Sequence, residues 1–198
     1  MTVPGNHTYR TGRLLAVLVA CSVALLAVSA CGAIINTAHT ITHTASPAAS
    51  VAAHVSRTDR SWIDQAHQAN MAELQVGQLA ELDGGSKAIR SAGAVLSRDH
   101  QALDSKLVRV AQQLKLPLPT SPTVQQTVIA DQLTKENGQR FDTDFTASML
   151  TAHQSMIAAT RHEIAHGSAA AIVGLAKQAL PVLIKHLTMM QAAAASAG

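Results

Sequence analysis

Glu73, His100, His153 and His186 are the residues of this 198-residue chain whose types and positions could do chemistry in its interior. Each falls on the apolar face of a different segment with helical periodicity. A carboxylate grouped with two or three imidazoles suits one divalent metal ion, and by ligand type that ion is zinc, iron or copper. The same groups can also satisfy one another as a buried hydrogen-bonded network, with Asp99 or Asp104 as further partners. A second constellation is His162-Glu163-Ile164-Ala165-His166. Its His-Glu-x-x-His spacing puts two imidazoles on one helix face beside a carboxylate that could act as a general base, as in zinc metalloproteases. A third reactive group is the thiol of Cys31.

Cys31 is read through what precedes it. Arg10 and Arg13 form a short basic region, Leu14 to Val28 is almost wholly apolar, and Ser29-Ala30 leads directly into the cysteine. Positive, apolar and small-residue regions in that order make a secretory signal. The small-small-Cys ending resembles a bacterial lipobox, in which the thiol receives diacylglycerol and becomes the first residue of the mature chain. The apolar run is shorter than the roughly 20 residues that cross a bilayer comfortably. The expectation is therefore an exported protein anchored to the cell membrane or envelope by lipid on Cys31.

With Cys21 inside the signal and Cys31 acylated, no thiol is left for a disulfide, a Cys-based metal site or a thiol nucleophile. Loss of residues 1–30 also removes two of the 15 basic side chains, leaving 13 against 12 acidic ones. Trp62, Phe141 and Phe145 are then the only aromatic residues. Near-neutral charge and so few rings argue against nucleic-acid binding. Residues 31–57 read as the lipidated cysteine and a flexible tether rich in Ala, Thr, Ser and His. Its average span is roughly 25–30 Å. His39 and His43 are read as solvated within it.

The elements that must position the ionisable groups begin at Thr58, and the folded domain is expected over 58–198. Trp62, Ile63, Ala66, Ala69, Glu73, Val76 and Ala80 recur at helical spacing, with Thr58 as N-cap and Gly84-Gly85 as the stop. Ser86 caps a second helix whose inner stripe includes Ile89, Leu96, His100 and Leu107. Leu116-Pro-Leu-Pro breaks it, and a short helix follows near 123–135. A third long helix is expected from about Gln139 to His166, and a last from about 169 to 193, with a kink at Pro181. Two helical hairpins joined by a crossover containing a short helix describe an all-α four-helix bundle.

In an up-down-up-down arrangement both short turns, 84–85 and 167–168, lie at one end. Counted from them, Glu73, His100 and His153 stand about 16, 22 and 21 Å away, and His186 is an outlier at about 28 Å. The His-Glu-x-x-His motif is read as a decoy. It abuts Gly167, where the helix ends, no Asp or Glu follows residue 163, and no strand is available to align a peptide.

Met71-Ala-Glu73 with Gly77-x-Leu79-Ala80, Asp99-His100, Phe141-Asp142 with Met149 and His153, and Leu180-Pro181-x-Leu183 ending in His186-Leu187 form an ordered set over residues 58–192. This set resembles the bacterial family called domain of unknown function 4142. The resemblance implies a ferritin-like helical bundle and an exported location, without a settled activity. It aligns Glu163 but not its flanking histidines. The leading expectation is a non-enzymatic binding or accessory domain of the envelope. The alternative is a metal-binding or redox protein built on Glu73, His100, His153 and His186.

Overall fold

The computed structural model describes residues 54–196, all within the compact unit Pro47–Gly198. Cys31, the signal region and most of the tether lie outside the described residues. The described chain is all-helical: α1 (Arg57–Asp83), α2 (Lys87–Gln113), the short α3 (Val124–Leu133), α4 (Gly138–His166) and α5 (Ala170–Ser196).

Local chemistry sets the helix starts. Ser86 caps α2 by accepting from the Ile89 N–H. The cap of α1 is Ser56 rather than Thr58, because Ser56 and Asp59 exchange the reciprocal bonds of a capping box. Thr123 and Gln126 do the same for α3. α5 runs as one helix through Pro181. By length and composition its Ala170–Ala195 stretch, with mean hydropathy 1.3, is apolar enough to cross a membrane. Its Ile172, Ala176, Leu183, His186 and Met190 are buried.

α1 packs on α2 and α4, and α5 packs on α4 and α2. α1 and α2 approach closely where Gly77 and Gly93 face each other, and a Cβ on Gly93 would meet the Gly77 carbonyl. The crossover does not leave the two short turns at the same end. Gly84 pairs with Gly138 in an isolated parallel bridge, and the Asp142 carboxylate accepts from the N–H groups of Gly85 and Ser86 at 2.7 and 2.8 Å. At the far end Asp59, on the first turn of α1, accepts from Ser168 and Ala169 in the α4–α5 turn. The helix directions are therefore up, down, down, up. The segment 114–137, with α3 inside it, carries the chain back along the helices. Arg60 and Gln68 hold it to α1 through the carbonyls of Pro117 and Ser121.

Two apolar clusters make the core. One joins Trp62, Ile63, Leu107, Met156, Ile157, Ile172 and Leu183. The other joins Val76, Leu96, Phe141, Phe145, Met149 and Met190. On every long helix one ionisable residue lies between the two clusters, and these four are Glu73, His100, His153 and His186.

Candidate functional site

The direction of α4 corrects the expected position of His186. All four residues stand about 13–16 residues, or roughly 20–24 Å, from the helix ends at Arg57, Gln113, His166 and Ala170. Those ends lie together, so His186 belongs to the layer instead of standing apart from it. His100, His153 and His186 are at most 1% exposed and Glu73 is 3% exposed. One ring nitrogen from each histidine lies within 4.8 Å of the others.

Outer partners decide which nitrogens carry protons. The Asp104 carboxylate can only accept, so the Asn70 amide nitrogen donates to it at 3.3 Å and the Asn70 oxygen faces the ring of His100. That oxygen accepts from His100 Nδ1 at 3.0 Å, which leaves a lone pair on Nε2. His153 Nδ1 donates to the Met149 carbonyl at 2.9 Å, again leaving Nε2 as an acceptor. His186 Nε2 donates to Asp99 at 3.1 Å, leaving Nδ1 as an acceptor. Glu73 Oε2 lies 2.9 Å from His100 Nε2 and 3.3 Å from His153 Nε2, and His153 Nε2 lies 3.3 Å from His186 Nδ1.

Three imidazole lone pairs and a carboxylate thus converge without a donor of their own. The Glu73 Oε2 and His100 Nε2 atoms, although close, are not aligned for a hydrogen bond. Acceptors facing acceptors in a buried space repel unless a cation sits among them, either a proton or a metal ion. Burial works against the Glu73 charge, but when a proton is shared with His100 and His153 their field outweighs it and holds the carboxyl well below its usual range. Desolvation pushes His186 down to about 4 against the pull of Asp99. Partial burial opposes the charge of Asp99, yet hydrogen bonds from His186, Arg98 and Lys185 bring it down to about 2. A neutral imidazole held by an ionised carboxylate is the usual support for a metal-ligating histidine.

The family described as Domain of unknown function (DUF4142) matches residues 44–193. The chain belongs to this family. The match spans all four residues of the layer and both helix pairs. No curated protein and no solved structure matches the chain.

In this family member the fold separates Glu163 from the two histidines of the His-Glu-x-x-His motif. His162 and His166 are exposed and their rings stack at 4.3 Å. Glu163 turns away from them and is fully buried against Asp59. Burial, and then the neighbouring Asp59 carboxylate, push Glu163 up to about 7. Asp59 is also fully buried, and its own charge is disfavoured by burial. Donors from Ser56, Ser168 and Ala169 nevertheless hold it far below the carboxylate range.

Sequence reasoning anticipated Asp99 and Asp104 as partners of the layer. Asn70 was missed, and it is the link through which Asp104 reaches His100. One signal was available: Asn70 stands three residues before Glu73, on the same face of α1. The role of Asp59 was also missed, although Ser56-Arg-Thr-Asp59 carries the capping-box spacing.

Proposed function

We propose that this protein holds one divalent transition-metal ion at Glu73, His100, His153 and His186, inside a ferritin-like four-helix bundle displayed outside the cytoplasm on a lipid anchor at Cys31. The observation that carries the reading is the set of fixed tautomers. Each histidine spends one nitrogen on a distinct outer acceptor and turns the other, unprotonated, toward its neighbours and Glu73. Three neutral imidazoles and one carboxylate form a donor set of intermediate softness, suited to zinc, iron or copper. The helix order, with α2 and α4 running in the same direction and a spanning crossover between them, supports the ferritin-like reading.

The role is binding, as an accessory domain of the envelope. The order of basic, apolar and small-small-Cys segments supports the anchor. Cys31→Ala is expected to move the protein from the membrane fraction to the soluble one, read by fractionation and by incorporation of labelled palmitate.

Elemental analysis tests the metal site. The detergent-solubilised full chain, purified without tag or chelator, should carry about one metal per chain, and His100→Ala/His153→Ala should carry none. A wild-type protein that stays metal-free after incubation with zinc, iron and copper would leave the layer as a proton-sharing structural network. Metal lost only in His162→Ala or His166→Ala would move the site to the His-Glu-x-x-His residues.

A further inference from the structure

The approaches to the layer differ in what an ion would meet. Toward the α1–α2 face stands the Asn70 side chain, and His100 presents its protonated Nδ1 there. The Asp104 carboxylate beyond is engaged by His67 at 2.7 Å and by Asn70. Toward the α2–α5 face His186 presents its protonated Nε2 to Asp99, which is covered by Arg98 at 2.8 Å and Lys185 at 3.3 Å. A small cavity of about 30 Å³ also touches His100. It is walled mostly by apolar side chains such as Trp62, Leu107 and Leu175, with Asn70, Thr160, Lys106 and Gln178 also lining it. At about 30 Å³ the cavity has room for only about two waters, less than a hydrated ion needs, and an ammonium group beside it repels a cation.

The α1–α4 side is different. A groove of about 600 Å³ runs between α1, α3 and α4, and Glu73 lines it. Gln65, Gln68, Gln125, Ser148, Thr151 and Ser155 give it neutral oxygen ligands that can replace water around a cation. Among the described residues, Glu73 is the one ionisable side chain of this lining. The Glu73 carboxylate thus joins the groove to the three histidine lone pairs.

We propose that this groove is the port by which a hydrated divalent cation reaches the histidine layer, with Glu73 as the first charged ligand it meets. The proposal rests on the metal-binding reading and adds a direction to it. The ion exchanges water for groove oxygens, is taken by Glu73, and passes to the ring nitrogens that face it.

Cobalt(II) uptake by the full chain, followed by stopped-flow absorbance, tests it. Ser155 is exposed at the groove, and Gln178 is exposed at the opposite cavity. Ser155→Lys should slow uptake about fivefold at low salt and Ser155→Asp should speed it, with both effects shrinking as salt rises. Gln178→Lys should load at the wild-type rate, and all three variants should reach the wild-type stoichiometry. Full loading with Ser155 variants at the wild-type rate would overturn the port alone. Equal slowing by Gln178→Lys would do the same. A wild-type chain that takes up no cobalt would overturn the metal site and the port together.

Discussion

Glu73 and Asp59 are carboxylates buried by the same helices, and the protein treats them in opposite ways. Asp59 is surrounded by donors: the N–H and hydroxyl of Ser56, the N–H and hydroxyl of Ser168, and the N–H of Ala169. Its charge is answered by the protein itself, and the result is a clamp between the start of α1 and the α4–α5 turn. Glu73 is surrounded by imidazole nitrogens whose protons have been directed elsewhere. Its charge is answered only by something shared. Burial of a carboxylate is therefore a poor guide to function, and the count of donors against acceptors around it is a better one.

The comparison breaks first at the clamp. Asp59→Ala strands several buried N–H groups and removes a cap, so it should cost about 3 kcal/mol or more. The urea midpoint of unfolding measures this, and metal content per folded chain should not change. The layer should behave in the reverse sense. Free metal at about 100 times Kd should raise stability by about 2.7 kcal/mol in the wild type and leave His153→Ala unmoved, as read by thermal unfolding with and without the ion.

A pH series sharpens the contrast at Glu163. Its folded pKa, about 7, lies above the ordinary 4.5, so the folded protein keeps a proton that the unfolded chain has released. Stability should fall as pH rises from about 4.5 to about 7, by on the order of 2 kcal/mol. Glu163→Gln, which has no titrating proton, should flatten that slope in denaturation curves. Asp59 acts with the opposite sign, since its depressed pKa adds stability that is lost only on strong acidification.

Smaller effects are expected further out. Asn70→Ala frees the tautomer of His100 and should weaken metal binding about tenfold in a competition titration. His162→Ala and His166→Ala remove exposed rings and should change stability by no more than about 0.5 kcal/mol, with the layer's metal retained.

Much of this was legible in the chain. The inner stripes of α1 and α2, the Ser86 cap and the stops at Gly84 and Gly167 are local events, written in spacing and turn residues. Helical periodicity put Glu73, His100 and His153 on inner faces, but their common level was counted from two turns that the fold sets at opposite ends. What the spacing could not convey was the route of residues 114–137, because a crossover's direction depends on contacts formed at its far end. Gly138 adopts φ +58 and meets Gly84 and Gly85. That contact sends α4 in the direction that brings His186 level with the rest. The Asn70 link escaped for a related reason: its importance lies in which side of an amide faces which neighbour, and only packing settles that.

The four residues of the layer come one from each long helix, two from the first pair and two from the second. Neither pair by itself can enclose an ion. A captured metal would then report that the entire chain has reached its final arrangement, because half-made protein offers at most two ligands. It would also fix where the choice of metal is made. A chain that crosses a membrane unfolded arrives without cargo, and its ion is drawn from the compartment in which folding finishes.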